Sequence, residues 1–149
     1  MRRFLLLLPL LFLHTTPLWS TERGVRLEQK IMNRILRALT GKSAGIHVYF
    51  AGRRLPQSLL KNPDVILTPR PENADVVLVG SRRPDARLAH LHKPLLTLDY
   101  GTLRDYPNAV GAYFWQKGRP NIIMIRARLD RERIRLPAEF DRYIEDSIW

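Results

Sequence analysis

The run Val76-Val77-Leu78-Val79, set between Asp75 and Gly80, constrains this chain more than any other feature. Four consecutive apolar residues leave no polar face, so a strand built from them must be covered on both sides, as in a parallel sheet between helices. The neighbouring segments fit that demand. Residues 22–40 read as an amphipathic helix in which Leu27, Ile31, Ile35, Ala38 and Leu39 recur at three- and four-residue steps and share a face. Gly41 then stops it, because glycine accepts the left-handed conformation cheaply. Residues 45–52 ("GIHVYFAG") form a strand bounded by glycines, residues 53–64 a turn with a short helix, and residues 65–68 ("VILT") a short strand. A short helix or loop at 82–92 leads into the strand "KPLLTLDYG", residues 93–101. A turn precedes the two runs "AVGAYFWQ" and "NIIMIR", which pair as a hairpin. The remainder predicts one or two helices, with Pro137 in the first turn of the last and Phe140, Tyr143 and Ile144 on one face. The expected fold is α/β: a single domain with a small, mostly parallel sheet flanked by helices and a late antiparallel hairpin.

The first 20 residues read as a signal peptide, leaving residues 21–149 as the domain. Arg2 and Arg3 precede the apolar run from Phe4 to Leu13, and polar residues follow. That run is about 10 residues, too short to span a bilayer. Cleavage near Ser20, or retention as an uncleaved anchor, places the domain outside the cytoplasm, in the periplasm of a bacterium. There is no cysteine, so disulfides, thiolate nucleophiles and cysteine metal sites are excluded together. The 25 Lys and Arg exceed the 14 Asp and Glu, for a net charge of +11. Export argues against nucleic acid as the counterpart. Anionic lipid head groups, cell-wall polymers, an acidic protein surface or plain solvation remain.

A search for chemistry finds no catalytic constellation, no metal site and no cofactor motif. No serine sits in a nucleophile elbow, and Ser81 after Gly80 reads as a cap or turn residue. His90 and His92 could face one side of a strand, but zinc needs further ligands. "GKSAG" at residues 41–45 follows a helix instead of preceding one, which rules out a phosphate loop. In open α/β sheets ligands collect at the carboxyl ends of strands. Those ends offer Ser81, Arg82 and Arg83 after one strand, and Asp99, Tyr100 and Thr102 after the next. Together they would suit a small polar or anionic ligand, or serve as ordinary caps.

The hairpin is apolar on both faces. Val110, Ala112 and Phe114 are expected to point one way and Gly111, Tyr113 and Trp115 the other. One face packs on this domain. The other is covered by the terminal helices, or by another chain: a partner or a second copy in a homodimer. Tyr113 and Trp115, with Lys117 and Arg119 at the tip, are the candidate interface.

"GIHVYFAG", "ADVVLVGS", "HKPLLTLDYG", "AVGAYFWQKGRPNIIMIR" and "IRLPAEFDRYI" follow one another as in the YfiR-like periplasmic proteins, which the chain resembles over residues 46–144. The family's double glycine is here Val110-Gly111, and its cysteines are missing, so disulfide-linked control does not carry over. The resemblance implies a non-enzymatic exported regulator that acts on a membrane-bound sensor or diguanylate cyclase. A looser likeness to half of a solute-binding protein implies the alternative, an accessory component of a transporter.

Overall fold

The computed structural model describes residues 18–80 and 83–148. The apolar run Phe4–Leu13, Ser81 and Arg82 lie outside the described residues. The chain runs α1 (Leu18–Thr40), β1 (Ile46–Ala51), α2 (Gln57–Leu60), β2 (Val65–Leu67), a 3-10 turn (Pro71–Asn73) and β3 (Val76–Val79). It continues with α3 (Ala86–Ala89), β4 (Leu95–Thr97), α4 (Thr102–Asp105), β5 (Ala109–Gln116) and β6 (Arg119–Ile125). It closes with α5 (Arg126–Arg131), a 3-10 helix (Ala138–Tyr143) and β7 (Ile144–Glu145). The seven strands form one sheet in the order β2-β1-β3-β4-β5-β6-β7. The pairs among β1 to β5 are parallel, the β5–β6 hairpin is antiparallel, and β7 is parallel to β6. This is the expected α/β domain. α1 begins at Leu18, so the boundary expected at Ser20 falls in its first turn.

β3 is buried at every residue, as its composition requires. Val76 and Leu78 join a core with Met32, Ile35, Leu36 and Leu39 of α1, while Val77 and Val79 face Leu88, Leu103 and Tyr106 on the other side. Each fully buried side chain of this size contributes about 1.5–3 kcal/mol. The apolar stripe of α1 therefore runs through Met32 and Leu36, and Leu27 is not on it but 47% exposed. The reason is reach. Thr40 leads into β1, and the last turn meets the amino edge of the sheet, where Arg37 pairs with Asp64 at 2.9 Å and Lys42 with Asp75 at 2.8 Å. The first turns run beyond the opposite, carboxyl edge.

Two expectations change, one in the hairpin and one at the end of the chain. Leu95 pairs with Ala109 and Leu96 with Gly111, so Val110 is an extra residue in a bulge. It therefore leaves the face of Ala112 and Phe114 and joins the α1 core with Tyr113. The chain's end is a 3-10 helix, with Pro137 at its N-cap instead of its first turn, followed by the short strand β7. A 3-10 helix stacks residues three apart, which sets the Phe140 and Tyr143 rings 6.0 Å from each other.

Arg128 of α5 secures the corner between α4 and β5. Its Nη1 is shared among the carbonyls of Leu103 (3.0 Å), Tyr106 (3.0 Å) and Ala109 (2.9 Å). Gly111 lets β6 approach closely, because a Cβ there would run into the Ile123 carbonyl and lie 2.6 Å from Met124 Sδ. Overpacking of this kind costs about 1–3 kcal/mol. Gly111→Ala is expected to lower the urea midpoint by at least that equivalent, with an unchanged m-value. A Gly24→Ala control, where a Cβ meets nothing within 4 Å, is expected to leave the midpoint in place or raise it.

Candidate functional site

The parallel strands β1, β3, β4 and β5 all end on one edge, so the loops after them share a rim. The strand order reverses between β1 and β3, which makes their carboxyl ends the topological switch point. A crevice of about 460 Å³ lies there, lined by Ala51, Gly52, Arg83, Pro84, Asp85, Ala86 and Tyr106. The Tyr106 hydroxyl braces it, accepting from the Asp85 N–H at 2.8 Å and donating to the Arg83 carbonyl at 3.2 Å. Asp85 is held in turn by Arg87 at 2.9 Å, which keeps its carboxyl below the usual carboxylate range.

The residues expected to form one ligand site are divided. Arg83 lines the switch-point crevice, while Asp99 and Thr102 line a separate depression with Gly101 and Asp105. In that depression Asp99 acts as a cap. Its Oδ2 accepts from the Thr102 N–H and hydroxyl, both at 3.2 Å. Tyr100 packs against Phe114 with ring centroids 5.7 Å apart. Two carboxylates, Gly101 and a buried threonine line this depression. Sequence reasoning missed Gly52 and Tyr106, because the neighbour of β3 at the switch point is β1, and strand order leaves no local signal.

The candidate interface also divides. Trp115 is 44% exposed, and Lys117 and Arg119 are exposed with it. Tyr113 is only 2% exposed, packed in the core beneath α1, so it contributes nothing to the surface. The hairpin's apolar face is thus covered by this chain's first helix and its terminal 3-10 helix, up to the last residues of β5. Lys117 and Gly118 both have positive φ, 50° and 71°, as a two-residue type I′ turn requires. β7 pairs with Met124 and Ile125, so among the described residues no strand pairs with the outer edge of β6 from Arg119 to Ile123, and that edge is open. Beside it runs a groove of about 110 Å³ lined by Ile31, Pro120, Ile122, Phe140 and Tyr143. An Arg34–Glu139 pair at 3.1 Å borders it, and Arg142 lies 4.8 Å above the Tyr143 ring.

Among the described residues no group of three or more His, Asp or Glu could hold a metal ion, and no helix is long and apolar enough to cross a membrane. Comparison with models of protein families finds no match, and comparison with curated proteins finds no relative.

Burial pushes the Tyr113 hydroxyl up to about 12, with the nearby Glu28 carboxylate adding to the effect. Burial likewise raises Glu28 above its ordinary value, against a smaller opposing influence of Ser58. An unfolded tyrosine ionises near pH 10. Below that pH the phenol is neutral in both states and contributes no pH dependence. Above it only the unfolded chain releases the proton, so stability falls as pH rises from about 10 to about 12. Urea unfolding at successive alkaline pH values is expected to show this loss, and Tyr113→Phe to reduce it. Absorbance at 295 nm is expected to lose its latest-titrating phase in the same variant.

Proposed function

We propose that this chain is an exported, non-enzymatic regulatory module that binds the periplasmic part of a membrane-bound sensor or diguanylate cyclase. The observation that carries the reading is the open edge of β6 beside Trp115. An extended segment of a partner can add to an open strand edge, with main-chain hydrogen bonds supplying affinity and side-chain pockets supplying specificity. Here the groove along Ile31, Pro120, Ile122 and Tyr143 supplies such a pocket. Trp115 is the anchor, since tryptophan is favoured at the energetic centre of interfaces. Lys117 and Arg119 beside it select an acidic partner surface. The order of segments shared with the YfiR-like proteins supports the same reading, as does the apolar N-terminal run for export.

A second reading, an accessory solute-binding protein of a transporter, is favoured by the switch-point crevice. Its place in the sheet is where small ligands bind in this architecture, and Arg83 would meet a polar or anionic one. Titration calorimetry across a panel of small anions is then expected to give a saturable heat that Arg83→Ala weakens about tenfold, roughly 1.4 kcal/mol. Flat traces across the panel remove that reading.

The first reading is tested on solubilised membranes. The immobilised protein is expected to retain a sensor or cyclase, and Trp115→Ala to weaken retention by about 2 kcal/mol while leaving the thermal midpoint in place. Deletion of the gene is expected to change the cellular level of cyclic-di-GMP. Retention of no such protein, together with an unchanged cyclic-di-GMP level, removes the reading.

A further inference from the structure

We propose that Pro120 is the specificity determinant of the open β6 edge: it excludes the edge of a second copy of this chain and leaves room for one extended segment of a different chain. The register of the hairpin carries the argument. Gln116 and Arg119 face each other across the two-residue turn, so Arg119 directs its main chain inward to β5. Main-chain groups alternate in direction along an antiparallel strand. Those of Pro120, Ile122 and Met124 therefore point outward, and β7 pairs with Met124. A proline has no N–H. Between Arg119 and Ile123 the outward side thus offers two carbonyls and one donor, the Ile122 N–H.

A second copy would meet this edge antiparallel, about a two-fold axis. An axis through Asn121 or Ile122 brings Gly118 or Pro120 of the copy opposite Met124, where Ile144 of β7 already stands. An axis through Pro120 is sterically open, because the tip of each hairpin then stops short of β7. Its central pair is Pro120 against Pro120. Neither has an N–H to give, so both central hydrogen bonds are lost and carbonyl faces carbonyl. Lys117 and Arg119 of the two tips add like-charge repulsion, but salt screens that without restoring a missing donor. Trp115 lies opposite Pro120 on β5 and is 44% exposed, so self-pairing would also cover the anchor proposed for the partner. The far side of the sheet is guarded in the same way. The Ile46 N–H donates to Asp64 and the Thr68 N–H to Val48, both at 2.9 Å, so Val65, Leu67 and Pro69 turn outward on the edge of β2. The Val65 N–H is bonded to Asn62 at 3.3 Å and Pro69 has none, so Leu67 alone of the three keeps a donor. A separate extended segment brings no hairpin tip and no β7, and needs only the Pro120 carbonyl and the two groups of Ile122. That half of the inference rests on the partner reading above. The exclusion of a second copy does not.

The test is sedimentation equilibrium of the full chain without any partner, in about 0.15 M and about 1 M salt, where the Debye length is about 8 Å and about 3 Å. Pro120→Thr restores two central hydrogen bonds, each contributing about fivefold. It is expected to tighten self-association at least tenfold over wild type in both salts, and the new amide at position 120 to gain protection from hydrogen exchange as concentration rises. Pro120→Ala adds the same N–H without a branched side chain and is expected to act in the same direction. Pro137→Thr replaces an exposed proline away from the edge and is expected to change association less than twofold. Unchanged association in both Pro120 variants overturns the proposal. So does an equal gain in Pro137→Thr, or wild type whose Ile122 amide becomes protected as concentration rises. Should Pro120→Thr associate while immobilised wild type retains no sensor or cyclase, the partner reading falls and the exclusion of a second copy stands.

Discussion

Burial of β3 on both faces is the constraint from which the rest of this domain follows. A strand without a polar side must have helices on either hand, and a chain of this length supplies them unequally. One face receives α1, a single 23-residue helix whose Met32, Ile35, Leu36 and Leu39 span the sheet. The other receives short pieces, α3 and α4, anchored by Leu88, Leu103 and Tyr106. The long helix gives one face a continuous cover. The short ones turn the other into a series of loops and caps, with Asp85 capping α3 and Asp99 accepting from Thr102 in α4. The switch-point crevice belongs to that patchwork side.

What could be read in the sequence was whatever local pattern determines. The Val76–Val79 run, the helix before Gly41 and the hairpin flanking Lys117-Gly118 each declare themselves within about ten residues, because burial on two faces, a 3.6-residue period and a left-handed turn all act over short distances. The bulge at Val110 could not be read, since it arises from the register against Leu95 and Leu96 on another strand. β7 was invisible for a related reason: two residues become a strand only because Met124 and Ile125 stand beside them. At the candidate site the same division holds. Trp115, Lys117 and Arg119 are exposed where the turn chemistry suggests, whereas Tyr113, two residues earlier on the same strand, is sealed by a helix some 85 positions away in the chain. Gly52 meets Arg83 only because β1 lies next to β3.

The two edges of the sheet are built for different purposes. The amino edge is tied by side chains that reach between elements: Asp64 accepts from Asn33 and Arg37, and Asp75 accepts from Lys42 and the His47 N–H. Burial alone would raise the Asp75 carboxyl, but these donors hold it below its ordinary value. The carboxyl edge carries the crevice, the hairpin tip and the exposed arginines. Side-chain ties between elements gather at one edge, and the crevice and exposed loops at the other. That is a common economy in open α/β sheets, where a rigid scaffold presents variable loops.

Arg128 adds a condition on the order in which the molecule can be completed. Three carbonyls at the corner between α4 and β5 have their shared donor on a side chain some 20 residues downstream. A chain that emerges amino end first can pair β1, β2 and β3 and dock α1 on them while its last third is still hidden. Until α5 has also emerged, those oxygens lack the Arg128 donor and keep their water. A chain truncated before Arg128 would leave these three carbonyls without that donor, a wet, unlatched corner.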